Sequence, residues 1–185
     1  VNDKETNLLK KNNVRVSHCP SSNLKLGSGI ANIPKYLEKG ISVSLGADGA
    51  PCNNNLSIFN EMRLAALIQK PIHGSTVMDA KTVFKLATIE GAKALHLQNE
   101  IGSIEVGKKA DLALLNLNTN VHSISESAES VYSDIVYSST SESVNSVIVE
   151  GEWKILNKKS LLYDQAELNQ KSKEELKKLL RRANN

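Results

Sequence analysis

The fold class is indicated by residues 14–51, which read VRVSHCPSSNLKLGSGIANIPKYLEKGISVSLGADGAP. Alternating apolar residues predict a short strand that ends at His18. A loop rich in Ser, Asn and Gly follows, and apolar residues at helical spacing then predict a helix over residues 30–39. Gly40 ends that helix, and a second strand is predicted over residues 41–45. This order of strand, loop, helix and strand is typical of a parallel α/β sheet.

Two longer helices are predicted after the second strand. The first covers residues 56–69, and Glu61 and Arg63 are expected to point away from its buried face. The second is expected to begin near Thr76 with a capping box and to end around His96. The side chains expected to form the buried face of the first helix are Phe59, Met62 and Ala66.

After residue 100 the pattern changes from alternating strands and helices to short strands. One strand is predicted over residues 111–117, and Gly151 lies at the centre of a predicted hairpin of two more. Between them, residues 118–143 are crowded with Ser, Thr, Asn and Glu. Leucines at helical spacing predict a terminal helix that is capped by Ser172. The sequence therefore predicts a β region that is distinct from the α/β part.

Composition and charge exclude several classes of protein. The chain has 185 residues, 40% of them hydrophobic and 23% charged, and its formal net charge is +3. It has no apolar run of about eighteen residues and no signal-peptide pattern, so we expect a cytoplasmic protein without a membrane span. The small basic excess is partly local to the last fifteen residues, and no nucleic-acid partner is expected. Because the chain opens at Val1 without an initiator Met, we expect a piece of a longer protein.

Asp48 and His18 are the candidate functional residues of the α/β part. Each follows a predicted strand, and the carboxyl ends of parallel strands are where such folds place ligand-facing groups. Alternatives stay open, because Asp48 can be a capping residue in a turn and His18 a hydrogen-bonded structural residue. Asn23, with Ser21 and Ser22, can contact a polar ligand, although any loop contains such residues.

A complete metal site is not expected from this chain alone. His73, His96 and His122 are expected to be surface residues. The sequence contains no HxH, HExxH, GxGxxG or phosphate-binding P-loop motif, and its four His residues are too few for several imidazole ligands. Cys19 and Cys52 lack CxxC spacing and are expected to be reduced thiols.

Three segments together resemble one family of proteins. They are VSHCPSSNLKLGSGIANIPKYLEKGISVSLGADGAPCNNNLSIFNEMRLAALIQK (residues 16–70), ATIEGAKALHLQNEIGSIEVGKKADLALLNL (residues 87–117) and VNSVIVEGEWKI (residues 144–155). They are similar to the C-terminal portion of the amidohydrolase superfamily, in the branch of chlorohydrolases and 5-methylthioadenosine/S-adenosylhomocysteine deaminases. The resemblance spans roughly residues 5–180.

The resemblance implies an α/β fold that contains the last two units of a (β/α)8 barrel of the TIM type. Residues 1–99 would be the seventh and eighth barrel strands with their helices. Residues 100–160 would be the C-terminal strands of a small β-sandwich, and residues 161–185 a terminal amphipathic helix. Strands one to six, with most of the family's metal ligands, have no counterpart in this sequence.

The resemblance also implies roles for the candidate residues. Family members bind one divalent metal, zinc or alternatively iron, and Asp48 matches the Asp ligand after the eighth strand. In that position Asp48 would also accept a proton from the attacking water. His18 matches the His after the seventh strand, which would lie beside the site or in the substrate pocket, as would Asn23.

The implied function is hydrolytic deamination or dechlorination of a purine nucleoside-like or other N-heterocyclic substrate. On its own the piece would be inactive, and its partners would be the missing N-terminal part or further copies in a homo-oligomer. The alternative is a non-catalytic remnant or interaction module that associates with a partner chain. A weaker hypothesis is a nucleic-acid-binding tail, and it is based on the Lys and Arg residues within 171–182.

Overall fold

The computed structural model describes residues 1–117 and 127–183. These residues form two compact units in a mixed α/β arrangement. The first unit comprises Val1–Lys109 and Asn116–Ser143, and the second comprises Ala110–Leu115 and Val144–Asn185. The two units are described separately below.

The elements of both units follow in chain order, and their labels are used from here on. They are α1 (Asp3–Lys11), β1 (Val16–His18), α2 (Pro20–Lys25), α3 (Ile33–Glu38), β2 (Val43–Leu45), α4 (Ile58–Ile68), α5 (Lys70–His73), α6 (Ala80–Leu86), α7 (Ile89–Ala94), β3 (Leu112–Leu115), α8 (Ala128–Ser133), a π-helical turn (Asp134–Ser138), a 3-10 turn (Ser141–Ser143), β4 (Val144–Val149), β5 (Glu152–Leu156), β6 (Lys159–Ser160) and α9 (Gln165–Ala183).

The first unit is built around a parallel pair of strands. Strands β1 and β2 are hydrogen-bonded in parallel, with His18 opposite Leu45 at their carboxyl ends. Val43 of β2 is almost fully buried, and Ile33 of α3 packs in the same core. The parallel pair with two helices, α2 and α3, between its strands confirms the α/β organisation expected from the sequence.

Helix α4 confirms part of the predicted buried face and corrects another part. Met62 and Ala66 are buried as predicted, whereas Phe59 is only half-buried. Arg63 is exposed, but the prediction that Glu61 points away from the core is wrong, because its side chain is fully buried. The physical reason is that both carboxylate oxygens of Glu61 find N–H donors inside the protein.

The segment after β1 is a helix rather than the loop predicted from its polar residues. Helix α2 begins with Pro20 at its first position, where the missing N–H costs no hydrogen bond. Helix α3 has the same feature at Pro34, and it covers fewer residues than the predicted 30–39. The side chain of Asn32 caps α3 by accepting from the Lys35 amide at 3.1 Å.

The single helix predicted from Thr76 to His96 is two helices. Asp79, rather than Thr76, caps α6 by accepting from the Thr82 amide at 3.0 Å. The chain then breaks before α7, where the Thr88 hydroxyl donates to the Phe84 carbonyl at 2.8 Å. His96 follows α7 in the left-handed backbone region. Local polar bonds thus interrupt a continuous apolar pattern.

The second unit is an antiparallel sheet followed by a helix. The strand order is β3-β4-β5-β6, so the predicted hairpin around Gly151 is confirmed and the short β6 extends it. Helix α9 begins well before Ser172, because Asp164 accepts from the Ala166 and Glu167 amides and so caps the helix. Among the residues described, no helix is both long and apolar enough to cross a membrane.

The division of the chain differs from the predicted boundary at residue 100. Residues 100–109 belong to the first unit, and Gly102 lies in close contact with Ala92 and Ile89 of α7. Helix α8 also belongs to the first unit, where the rings of Tyr132 and Phe84 lie 5.2 Å apart. Residues 100–109 and helix α8, which lie outside the predicted α/β range of residues 1–99, therefore pack with the α/β unit.

Gly102 and Gly107 have nearly the same backbone conformation but different surroundings. Replacing each by Ala therefore distinguishes the cost of packing from the cost of backbone strain. Gly102 and Gly107 have φ angles of +93° and +92°. A Cβ at Gly102 would lie 2.7 Å from the Ala92 Cβ, whereas nothing lies within 4 Å of one at Gly107. We expect Gly107→Ala to cost about 1 kcal/mol from backbone strain. Gly102→Ala should cost about 1–3 kcal/mol more from overpacking, measured by urea unfolding of the chain. Equal losses in the two variants would contradict the contact with α7.

Candidate active site

The site is formed where the chain leaves the two parallel strands. Pairing continues past the strand ends, since the Gly46 amide donates to the His18 carbonyl at 3.0 Å. The space at Gly46 is narrow, because a Cβ would lie 2.6 Å from the Ser17 hydroxyl oxygen and 3.1 Å from the Cys19 sulfur, so one of those side chains would have to turn away. The segments that follow β1 and β2 are therefore held side by side at the carboxyl edge.

Asp48 presents an exposed carboxylate from the segment after β2. Its backbone is left-handed, with φ of 62°, a conformation that Asp tolerates better than most residues. The Ser22 hydroxyl donates to Oδ2 at 2.6 Å, and the Gly49 amide donates to Oδ1 at 2.7 Å. These two hydrogen bonds, the Ser22 bond first, lower the pKa of Asp48 below its ordinary value. Asp48 is therefore ionised at neutral pH.

His18 is a buried, neutral imidazole at the end of β1. It is 3% exposed, and neither ring nitrogen has a hydrogen-bond partner among the residues that the structure describes. Burial lowers the pKa of His18 to about 4, against the opposing effect of the Glu61 carboxylate. Buried polar atoms almost always have partners, so two unpartnered ring nitrogens among the described residues are an unusual feature of this edge.

Glu61 is the site residue that the sequence analysis did not identify. From α4, its Oε1 accepts from the Asn53 side-chain amide at 2.7 Å and its Oε2 from the Ser21 backbone amide at 3.1 Å. The same Asn53 nitrogen donates to the Ala47 carbonyl at 2.8 Å. A signal was present in the sequence, because the apolar Ala65 lies four residues after Glu61 and so on the same helix face.

The structure brings some of the predicted residues together and not others. His18 and Asp48 both follow paired parallel strands, on the same edge of the sheet, as predicted. Asn23 lies on α2 beside Ser22, and the hydrogen bond from α2 to Asp48 comes from Ser22. The role of Asn23 at the site stays a prediction.

The remaining histidines do not join this edge in the described part of the chain. His73 lines a separate surface pocket of about 290 Å³ with Lys35 and Glu38, and His96 is exposed. His122 lies outside the residues that the structure describes.

The donor set suits one part of a metal site. Asp48 offers an ionised, accessible carboxylate, the kind of oxygen ligand that divalent cations accept. Within residues 1–117 and 127–183, however, no three His, Cys, Asp or Glu side chains come together as a metal-binding group. Among the residues that the structure describes, Asp48 therefore fits a metal as a single ligand.

Together the fold and site define an α/β protein with its polar site at the carboxyl ends of parallel strands. Residues 1–154 match the amidohydrolase family. The chain belongs to that family.

Individual relatives are deaminases by name. The chain is 43% identical over 173 residues to a 5-methylthioadenosine/S-adenosylhomocysteine deaminase of Thermodesulfovibrio yellowstonii, covering 93% of this chain and 39% of that protein. It is 39% identical over 176 residues to a 5'-deoxyadenosine deaminase of Methanobrevibacter smithii, covering 95% of this chain and 40% of that protein. The chain thus spans about two fifths of the length of these relatives.

A solved structure supports the same relationship. An adenosine deaminase from Xanthomonas campestris, crystallised with bound zinc, matches with a TM-score of 0.85 and 32% sequence identity. The match covers 94% of this chain and 39% of the solved one. The fold of the described residues is therefore that of part of an amidohydrolase.

The burial of His18 predicts a specific pH dependence of stability. The unfolded state takes up a proton near pH 6.5 and the folded state only near pH 4, so the free energy of unfolding falls as pH drops through this window. At pH 5 the loss through His18 should be about 2 kcal/mol relative to pH 7. Urea unfolding of the parent and of His18→Gln at both pH values measures it, and the variant should show a correspondingly weaker pH dependence. The same dependence in both proteins would show that His18 is not buried as a neutral ring.

Proposed function

We propose that the chain is the C-terminal portion of a metal-dependent amidohydrolase that hydrolytically deaminates an adenine nucleoside. The observation that carries the proposal is the ionised carboxylate of Asp48 at the carboxyl edge of a parallel strand pair, in a chain of the amidohydrolase family. Such an edge is where α/β enzymes gather their catalytic groups.

In this proposal β1 and β2 are the seventh and eighth strands of a (β/α)8 barrel. The parallel pairing and the α2–α3 connection between the strands support that assignment. Strands β3 to β6 would be the C-terminal strands of a small β-sandwich. Residues from the missing barrel strands would then face Asp48 across the same edge and complete the site.

Asp48 would hold one divalent metal, zinc or alternatively iron. The zinc bound by the Xanthomonas campestris relative supports zinc as the first choice. A divalent metal in such a site supplies an ionised water at neutral pH. His18 is buried at the same edge, and its ring nitrogens, which have no hydrogen-bond partner in the described part of the chain, would contact a residue, water or ligand of the complete site.

The reaction would replace the amino group of the ring by oxygen. Water adds to the carbon that bears the amino group, and ammonia leaves, so that the amino compound and water give the oxo compound and ammonia. Asp48 is the base at hand, because its carboxylate is ionised and exposed and can take a proton from the attacking water. The proton passes on to the departing nitrogen, which restores the Asp48 carboxylate, and the second proton of the water ends on the adjacent ring nitrogen of the oxo product.

The names of the relatives support adenine nucleosides with an altered 5' position as substrates. Purine nucleosides are therefore preferred to chlorinated triazines. The proposed partners are the N-terminal portion of the same enzyme and further copies in a homo-oligomer, in the cytoplasm.

The alternative is an interaction module without catalysis. Large apolar side chains on the surface of the first unit favour a partner of some kind, since Ile104 and Val106 are almost wholly exposed. An exposed surface of this kind suits the remainder of an amidohydrolase as well as a separate protein. Metal content and turnover of the complete protein distinguish the two hypotheses.

Replacing the Asp48 carboxylate should remove both metal and activity. In the full-length protein that contains this chain, Asp48→Asn should lower kcat at least about 1,000-fold, because a ligand and a base are lost together. It should also lower the bound zinc per chain, measured by elemental analysis after dialysis. Asp164→Asn is the matched control, because Asp164 is exposed and Asn caps a helix as well as Asp does. Unchanged zinc content and turnover in Asp48→Asn would refute the proposed function.

The substrate class has its own test. Ammonia release from 5-methylthioadenosine, S-adenosylhomocysteine and 5'-deoxyadenosine should be measurable with the full-length protein. A chlorotriazine should release chloride at least about 100-fold more slowly in kcat/KM, because the site would lack contacts suited to that ring. A higher kcat/KM for chloride release than for ammonia release would identify the protein as a chlorohydrolase instead.

A further inference from the structure

The position of the Asp48 carboxylate depends on groups outside its own segment. The backbone of Asp48 is left-handed, a conformation that residues with a side chain seldom adopt. Its Oδ2 accepts a hydrogen bond from the Ser22 hydroxyl of α2. The Ser22 residue that supplies this hydroxyl is itself buried. The direction of the carboxylate is therefore set jointly by the Gly49 amide, which donates to Oδ1, and by the position of α2.

Helix α2 is in turn held by Glu61. Oε2 of Glu61 accepts from the Ser21 amide, in the first turn of α2 and directly before Ser22. Oε1 accepts from the Asn53 side chain, which also donates to the carbonyl of Ala47, directly before Asp48. One buried carboxylate thus contacts both segments that determine where Asp48 points.

A carboxylate suits this place better than an amide. Both oxygens of Glu61 receive N–H donors, and a carboxylate is acceptor-only on both atoms. A Gln side chain would have to aim its NH₂ group at one of those donors. One of the two connections, to α2 or to Asn53, would then be broken.

We propose that Glu61 is a positioning residue for Asp48, acting through Ser22 on one side and through Asn53 on the other. The proposal rests on the proposed function, because it assumes that Asp48 holds the metal. Glu61 itself is fully buried on α4 and contacts backbone and amide groups rather than the open face of the site. Its effect on the reaction is therefore indirect.

Zinc affinity is the readout that a merely structural role would not move. Groups that orient a metal ligand typically contribute about tenfold to a hundredfold in metal affinity or activity. In the full-length protein, Ser22→Ala and Glu61→Gln should each weaken zinc binding by about that factor, measured by competition with a chromophoric chelator. In the zinc-loaded enzyme, kcat for 5-methylthioadenosine should fall while KM stays within about twofold.

Matched controls repeat the same chemical changes elsewhere. Ser28→Ala and Glu38→Gln remove an exposed hydroxyl and an exposed carboxylate, and both should bind zinc as the parent does. Thermal unfolding of the apo proteins identifies a variant that has failed to fold. Ser22→Ala deletes a single hydroxyl oxygen, so it keeps the test decisive if Glu61→Gln does not fold.

A double variant tests the connection itself. Because Glu61 acts on Asp48 partly through the Ser22 hydroxyl, Ser22→Ala combined with Glu61→Gln should weaken zinc binding by less than the product of the two single factors. Once that hydroxyl is gone, a shift of α2 can no longer reach the Asp48 carboxylate through it. A double variant that folds and shows the full product of the two single factors would overturn the action of Glu61 through Ser22.

Asp48→Asn separates this proposal from the proposed function. If Asp48→Asn binds zinc as tightly as the parent, Asp48 is not a ligand and both proposals are overturned. If it loses zinc while folded Ser22→Ala and Glu61→Gln retain parental affinity and kcat, only the positioning role of Glu61 is overturned. Losses in all three, with the control variants unchanged, support it.

Discussion

The parallel hydrogen bonding of β1 to β2 is the constraint on which the site depends. Because His18 is opposite Leu45, both strands end at the same level and their following segments leave from one edge. The hydrogen bond from the Gly46 amide to the His18 carbonyl continues the same register beyond the ends of the strands. A slip by one residue would move His18 to the opposite face of the sheet and separate α2 from Asp48.

Burying a carboxylate beneath this edge has an energetic consequence. A buried carboxyl group is costly unless its hydrogen-bonding capacity is used, and leaving a buried acceptor without its donor typically costs about 1–3 kcal/mol. Glu61 meets that requirement with donors from two segments distant from each other in sequence. The same bonds that make its burial tolerable therefore join α2 to the segment that carries Asp48.

Sequence reasoning identified the elements whose patterns are local. The strands, the hairpin around Gly151 and the position of Asp48 and His18 at strand ends all follow from periodicity and turn residues. Helix α2 was missed because its residues are polar turn formers, and only Pro20 at its first position indicated a helix. Glu61 was missed because a carboxylate is assigned to the surface unless its donors are known, and those donors lie 8 and 40 residues away.

Glu61 and Asp48 carry the same chemical group, and their different roles follow from their different surroundings. Glu61 is closed off from solvent, with its oxygens directed at protein donors, so it can organise but cannot reach a ligand. Each oxygen of Asp48 accepts a protein hydrogen bond, yet the residue remains exposed, so the bonds that lower its pKa do not cover it. A carboxylate kept charged by the protein and left open to solvent is what a cation or an attacking water requires. That combination makes Asp48 rather than Glu61 the reactive group, and it gives the buried carboxylate a reason to be where it is.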